Sequence, residues 1–536
     1  MTIMNLRFIT ENYAVSPQIM PNDIERIAKD GFVGIVCLRP DGEEPGQPSA
    51  AELGVAAEKA GLQFALIPVR SGTAPDSQSV NAMRRALLEM SGVDGTGKVL
   101  GYCRSGKRAA DIFELAQGAR EEAAVPTQSY DVVILGGGAA GIATAASLLK
   151  RRSDLTIAIV EPSGDHYYQP GWTLVGGGVF SQEQTRRSEV ALIPKEANWI
   201  REAVVSFAPE SNGVTLSNGA KLHYRALVVA LGIKLDWAAI PGLAETLGKN
   251  GVTSNYRYDL APYTWKLVQE LQHGTAIFTQ PPMPIKCAGA PQKAVYLSCD
   301  AWRRRGVDKD IAVEFDVAGP SLFGVAAFVP ALMNYIRRYK VDLELKSKLV
   351  AVDGPKGIAT FERIREGGTE TVERKFEMLH VVPPQVAPDV VRESKLAGKD
   401  GFVTVDPATL RHVTYDNIFA LGDVAGTSNA KTAAAARKQA PVVAHNVVAT
   451  LAHRAPNAEY DGYGGCPLTV ERGKIVLAEF GYGGKLMPSF PKWLLNGEKP
   501  TRLAWFLKEK VMPALYWYAM LKGREIMVKP KYKTGG

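Results

Sequence analysis

Cys287 lies between two lysines in KCAGAPQK (286–293). The run before it, GTAIF (274–278), is apolar and partly β-branched, and the run after it reads as a helix, so the cysteine falls at a strand-to-helix junction. A helix N-terminus and the cations Lys286 and Lys293 all favour the thiolate, the form in which cysteine is a nucleophile. The plainer alternative is a buried structural cysteine. A second cysteine, Cys103, opens the loop CRSGKR (103–108) between the apolar run KVLGY and the helical run KRAADIFELAQG. Backbone N–H groups at such a turn form an anion cradle, and Arg108 is placed to close it. Cys103 and Arg108 therefore read as a second reactive pair.

The third chemical signal is a nucleotide loop. DVVIL (131–135) reads as a buried strand and runs into Gly136-Gly137-Gly138-Ala139-Ala140-Gly141, which fits G-x-G-x-x-G. Gly136 permits the tight turn, Gly138 lets the backbone approach a diphosphate, and Gly141 lets helix and strand pack closely. The diphosphate would rest on free N–H groups at the start of the helix that follows. A second strand, LTIAIVE, ends in Glu161, 20 residues after Gly141, where an acid can bond a ribose hydroxyl. A glycine-rich turn without a ligand is the alternative, but strand, loop, helix and acid are all in register. No His or Cys lies within Gly136–Gly141, so the ligand is expected to be held without a covalent bond. Far downstream, YDNIFALGD (415–423) leads a strand to Gly422 and Asp423, and a helix follows with Lys431 at its start.

The chain that positions these residues has 536 of them, 46% hydrophobic and 22% charged. Domains hold roughly 100–200 residues, so three or four units are expected. The five cysteines are too few for a disulfide framework and none has Cys-x-x-Cys spacing, so no metal site is expected. No secretory signal is expected at Met1, and no run approaches the ~18–20 apolar residues that span a bilayer. A cytoplasmic location is expected. The net charge is +8, and residues 501–536 carry eight Lys or Arg against two Asp or Glu, so most of the excess is in the tail. That asymmetry fits an anionic surface at the tail and argues against a nucleic-acid face over the whole protein.

Alternating strand and helix runs make the fold α/β. A small α/β domain occupies 1–118, with strands in GFVGIVCLRP, LQFALIPV and KVLGYC and helices in NAMRRALLEM and KRAADIFELAQG. A linker at 119–129 contains Pro126 and has no apolar period. Repeated strand–turn–helix units fill 130–455, and a region rich in Gly and Pro leads from 456 into an amphipathic helical tail.

YDNIFALGD resembles the T-x-x-x-[I/V]-[F/Y]-A-x-G-D segment of flavoproteins with two dinucleotide folds, and ALVVALG (226–232) resembles their middle strand. The resemblance implies FAD, with Asp423 accepting a bond from the ribityl chain. The following helix N-terminus and Lys431 would set positive charge near the flavin O2. Such proteins usually carry a second glycine loop for NAD(P)H. Here that stretch holds Pro281, Pro282, Pro284 and Cys287, which offer few N–H groups, so NAD(P)H is disfavoured.

HYYQPGWTLVGGGVF (166–180), FTQPPMPIKCAGAPQK (278–293), KTAAA (431–435), CPLTVERGKIVLAEF (466–480) and VMPALYWYAMLKG (511–523) resemble the type II sulfide:quinone oxidoreductases, over about 130–524. The resemblance implies two Rossmann-like domains within 130–455, the second inserted at about 250–370. It also implies FAD, a quinone, a peripheral membrane tail and a persulfide formed on a cysteine, its sulfane sulfur then taken by a low-molecular-weight thiol or another acceptor. A homo-oligomer is expected. The family usually places its second redox cysteine directly after the Gly-Asp pair, and here that position is Val424. Cys299 and Cys466 are possible substitutes, but Cys299 is expected to pack away from the flavin, and Cys466 sits in a segment read as shared for structural reasons. The second sulfur is therefore expected from a substrate thiol or persulfide, and the substrate is sulfide or a related reduced sulfur compound.

LRPDGEEPGQP (38–48) and YCRSGKR (102–108) resemble a small beta-lactamase-hydrolase-like family related to tyrosine phosphatases and rhodaneses. Phosphatases of that kind need C-x5-R, whereas Cys103 to Arg108 is C-x4-R, the rhodanese spacing. Sulfur transfer is favoured over phosphatase activity and over an inactive structural domain. In the tail, Trp505, Phe506, Tyr516 and Trp517 alternate with Arg502, Lys508, Lys510 and Lys522, and Pro513 is expected to divide two short helices. This pattern fits a membrane-surface anchor through 501–523, on the inner face of the cytoplasmic membrane. A helix covering the protein's own core or a dimer interface is the alternative. Two other functions remain open: an NADH:quinone oxidoreductase of similar fold, and a flavin-binding redox sensor with a phosphatase-like domain.

Overall fold

The computed structural model describes residues 6–73, 75–91, 97–117 and 128–533. The chain divides into two compact units, Met1–Pro126 and Thr127–Gly536. Most of the expected linker, 119–127, lies outside the described residues, and its last two positions already belong to the strand Gln128–Leu135.

The first unit is a five-stranded sheet in the order Arg7–Thr10, Tyr13–Ser16, Lys98–Tyr102, Phe32–Cys37, Gln63–Leu66. Only the first pair is antiparallel. The opening hairpin was not legible as strands, because four-residue runs show too little alternation. Tyr13–Ser16 is nonetheless fully buried beside Lys98–Tyr102.

The second unit holds two main sheets. The first runs in the order Ala197–Ile200, Ile157–Val160, Gln128–Leu135, Lys221–Val229, Gly213–Leu216, Val204–Ala208, and Ile418–Ala420 also pairs with Lys221–Val229. Its central strands are parallel and buried, which is why they read as continuous apolar runs. The helix Ala139–Arg151 lies next to the helix Ala433–Leu451. The second sheet is wholly parallel, in the order Val252–Thr253, Met378–His380, Gly274–Gln280, Ile311–Val317, Asp342–Leu345. It closes at His380, past the expected 370, because the three-residue strand Met378–His380 inserts between Val252–Thr253 and Gly274–Gln280.

The tail differs from two helices parted by Pro513. The helix Arg502–Phe506 continues through a π-helical stretch, Leu507–Val511, into Met512–Tyr518, with Pro513 in the first turn of the last piece. Tyr516, Trp517, Met520 and Leu521 pack into the core under the first sheet, while Leu503, Phe506 and Tyr518 stay exposed. The tail is therefore two-faced and covers part of the protein's own core. Among the described residues no helix is long and apolar enough to cross a membrane.

Candidate functional site

The glycine loop is shaped as its spacing predicts. Gly136 has φ +104°, and a Cβ there would meet the Ala230 carbonyl oxygen at 2.5 Å. Gly141 sits so close to Gly136 that a Cβ would meet its oxygen at 1.9 Å. Gly138 caps the helix Ala139–Arg151 with nothing within 4 Å of a notional Cβ, so a ligand can approach its backbone. The first-turn N–H groups of that helix face the same opening. Glu161 accepts from Gly137 N–H at 2.8 Å with one oxygen and from Ser163 N–H at 2.8 Å with the other. It braces the loop while each oxygen keeps a lone pair for a ribose hydroxyl.

Gly422 has φ +74° and donates its N–H to Gln439 Oε1 at 2.8 Å, which turns the chain at Asp423. Burial raises the Asp423 carboxyl, and Lys431 and Lys286 oppose that. Lys431 is buried, and its Nζ donates to the Asp423 and Ala425 carbonyl oxygens at 2.6 and 3.0 Å. Its own carbonyl oxygen accepts the Cys287 N–H at 2.8 Å. Lys431 thus ties the Asp423 turn to the cysteine loop. The open Gly138 cradle, the braced Glu161 and this turn fit a dinucleotide lying along the first sheet.

Cys287 follows the strand Gly274–Gln280 and precedes the helix Ala290–Arg305. Its φ of +51° is left-handed, a conformation that costs a non-glycine residue about 1–2 kcal/mol. The surroundings enforce it: the Tyr256 hydroxyl donates to the Lys286 and Cys287 carbonyl oxygens, and Ala290 N–H donates to Cys287 O at 2.7 Å. Lys293 Nζ donates to the Cys287 sulfur at 3.1 Å.

The Cys466 sulfur lies 3.4 Å from that of Cys287. The expectation that Cys287 lacks a protein sulfur partner is therefore corrected. Cys466 sits on the hairpin Gly464–Glu471/Lys474–Phe480, which packs on the cysteine loop so tightly that a Cβ on Gly289 would meet Cys466 Sγ at 2.6 Å. The Cys466 thiol bonds to Cys287 and, with Lys293 and Lys508 acting against burial, holds the Cys287 thiol well below its usual range. The same bond, with burial, pushes Cys466 well above it. The pair is thus one thiolate, Cys287, beside one thiol, Cys466. Cys299 is buried in the core on the following helix, where burial raises its thiol. Val424, in the position after Asp423, is fully buried in the core of the first sheet.

The tail adds a group that the sequence reading left among surface cations. Lys508 is 2% exposed, and its Nζ donates to the Pro170 carbonyl oxygen at 2.8 Å. Lys286 donates to the neighbouring Gln169 Oε1 at 2.7 Å, so one turn receives both lysines. Burial, then Lys293, pushes Lys508 down to about 7.

In the second sheet, Asp316 lies near the end of Ile311–Val317, where a nucleotide-binding acid would stand. It is fully buried and bonded to Arg363 and Ser347, and Glu314 is paired with the same arginine. Neither acid is offered to a ligand.

In the first unit, Cys103 is fully buried after Lys98–Tyr102, and its N–H donates to Ser16 O at 3.4 Å rather than into a cradle. Arg108 lies beside the Cys103 sulfur, but its guanidinium is committed to Glu43 by bonds of 2.9 and 2.8 Å and to Val69 O. Arg39 also binds Glu43, and both Arg39 and Arg104 bind Glu44.

Residues 130–281 match the family model described as pyridine nucleotide-disulphide oxidoreductase. Residues 5–120 match that of the beta-lactamase hydrolase-like protein, phosphatase-like domain. A mitochondrial sulfide:quinone oxidoreductase of Dictyostelium discoideum is 42% identical over 398 residues, covering 73% of this chain and 86% of that protein. A beta-lactamase hydrolase-like protein of Xylella fastidiosa is 35% identical over 114 residues, 21% of this chain and 25% of its own length. The crystal structure of the sulfide:quinone oxidoreductase of Aquifex aeolicus superposes with a TM-score of 0.61 over 74% of this chain and 92% of that one. At 23% identity it speaks for the fold alone.

Proposed function

Because the chain belongs to the sulfide:quinone oxidoreductase family, we propose that it oxidises sulfide at the Cys287–Cys466 pair and passes two electrons through FAD to a quinone. The observation that carries the reading is the 3.4 Å approach of the two sulfurs, one beside the Lys293 ammonium. Gly136, Gly138, Gly141 and Glu161 would hold the adenosine diphosphate half of FAD, and Gly422, Asp423 and Lys431 the other. FAD, when bound, supplies the two-electron relay between the cysteine pair and the quinone.

The cycle starts from the disulfide. Hydrosulfide attacks Cys466 Sγ, the sulfur–sulfur bond breaks, and Cys287 leaves as the thiolate that Lys293 stabilises. The thiol of lower pKa is the better leaving group, so the persulfide remains on Cys466 and not on Cys287. The thiolate of a small acceptor then takes the outer sulfur and leaves Cys466 as a thiolate. Closing the disulfide again releases two electrons. In sum, hydrosulfide, an acceptor thiolate, a quinone and one proton give a persulfide anion and a quinol. Lys508, pushed down to about 7, can hold or release that proton beside the pair.

Two features argue against nicotinamide as the donor. Pro281, Pro282 and Pro284 replace the second glycine loop, and Asp316 is spent on Arg363. For the first unit we favour sulfur transfer at Cys103, because an Arg108 already neutralised by Glu43 suits a small sulfur species better than a phosphate dianion. Membrane attachment, on the inner face of the cytoplasmic membrane, is assigned to the exposed apolar residues Trp493, Leu494, Leu503 and Phe506, with Lys492, Arg502 and Lys510 nearby in sequence.

The test is quinone reduction by FAD-loaded protein given sulfide and a thiol acceptor. Cys466→Ser should lower turnover at least about a hundredfold. One equivalent of sulfide should leave +32 Da on the Cys466 peptide of the wild type, the mass of about one sulfur atom. Full activity in Cys466→Ser would refute the paired mechanism.

A further inference from the structure

We infer that the C-terminal helix locks the glycine loop through Tyr516, His166 and Glu189, and so sets how tightly the cofactor is held. The inference rests on the reading of Gly136–Gly141 as the loop for the FAD diphosphate. Tyr516, His166 and Glu189 are 5%, 3% and 1% exposed. The Tyr516 hydroxyl is 2.7 Å from His166 Nε2, across 350 residues of chain. His166 Nδ1 is 3.2 Å from the Gly137 carbonyl oxygen and 3.2 Å from Glu189 Oε2. A carbonyl oxygen only accepts, so Nδ1 carries a hydrogen. In the neutral ring Nε2 is then the acceptor and Tyr516 the donor.

Gly137 is thereby held on both sides. Glu161 takes its N–H at 2.8 Å and His166 takes its carbonyl oxygen. Among the described residues Glu189 Oε1 has no hydrogen-bond partner, and a Cβ on Gly137 would meet it at 2.4 Å. A second carboxyl group thus abuts the loop at the residue before Gly138, whose N–H opens the diphosphate cradle. The aim of that N–H follows from the peptide that Gly137 and Gly138 share.

The ring packing keeps the helix in place. Tyr516 lies 4.8 Å from Tyr168, Trp517 lies 5.7 Å from His166, and the Arg187 guanidinium sits 4.3 Å above Trp517. A glycine loop at the start of a Rossmann unit needs no C-terminal segment for its own shape, yet here one supplies the outer end of its hydrogen-bond chain. Without the hydroxyl, His166 Nε2 is left buried and unpaired, and the ring loses what fixes its hydrogen on Nδ1. Tyr516, His166 and Glu189 act as positioning residues, since the loop alone meets the cofactor.

The experiment titrates flavin-free protein with FAD and reads the dissociation constant from flavin fluorescence, in the wild type, Tyr516→Phe, His166→Asn and the double variant. Tyr516→Phe keeps the ring and its packing. It should weaken FAD binding about tenfold, equivalent to about 1.4 kcal/mol. On the His166→Asn background the same change should have no further effect, because the chain is already broken. A dissociation constant within twofold of wild type in Tyr516→Phe, or effects that simply add in the double variant, would overturn the inference while leaving the cofactor reading intact. Wild-type protein that takes up no FAD would overturn the cofactor reading and the inference with it.

Discussion

At the scale of residues, the reactivity proposed for Cys287 would come from one neighbouring thiol, two cations, Lys293 and Lys508, and a backbone that cannot relax. Its thiol is held below the usual range, so the thiolate persists above that lowered value and is lost only as pH falls through it. Alkylation of the reduced protein, followed at Cys287 across pH, should stay fast well below pH ~8.5, where an ordinary thiol already slows. Lys293→Gln should move the fall upward by about one pH unit or more. An unshifted profile would show that Lys293 does not stabilise the thiolate. Cys287 was legible because Lys286, the cysteine and Lys293 stand within eight residues at a strand-to-helix junction. Cys466 was not, because its role is a tertiary contact across 179 residues of chain, made when Leu468 and Cys466 pack on Gly289. Its one signal was its place in CPLTVERGKIVLAEF, which resembles the family. Lys508 was hidden for a related reason: a buried lysine and an exposed one look alike in a basic tail.

At the scale of elements, the glycine loop was legible in full, since turn, close approach and helix start each demand a glycine at a fixed spacing. The tail was legible in composition only. Aromatic residues occur on both of its faces, and the π-helical stretch Leu507–Val511 changes which residues align, so spacing alone did not separate Tyr516 and Trp517, inside, from Phe506 and Tyr518, outside. Trp493, 84% exposed, and Phe506, 53% exposed, lie on either side of the segment's start at Thr501. Each large apolar side chain buried in lipid is worth about 1.5–3 kcal/mol. The double variant Trp493→Ser/Phe506→Ser should therefore lose at least about tenfold in partition onto anionic vesicles. Sedimentation with vesicles measures it, and unchanged partition would remove these residues from the anchor.

At the scale of the whole molecule, the α/β fold class was legible, because strand–helix alternation is a long-range pattern that survives local misreadings. The hairpin of Arg7–Thr10 and Tyr13–Ser16 escaped, being too short to show a period. The Glu43–Arg108 pair escaped because its partners are 65 residues apart. If the first unit transfers sulfur, Cys103→Ser should leave quinone reduction within about twofold of wild type while lowering the sulfane sulfur delivered per quinone reduced. An unchanged ratio of product to quinone would return the unit to a phosphatase-like or structural role.

The central claim, that sulfide enters through the cysteine pair and nicotinamide does not, is tested most directly by anaerobic stopped-flow of FAD-loaded protein. The account predicts that sulfide bleaches the flavin absorbance of the wild type and NADH does not. It also predicts that Cys287→Ser and Cys466→Ser each abolish the sulfide response while keeping FAD bound. Rapid bleaching by NADH, or a full-rate sulfide response in either cysteine variant, would contradict it.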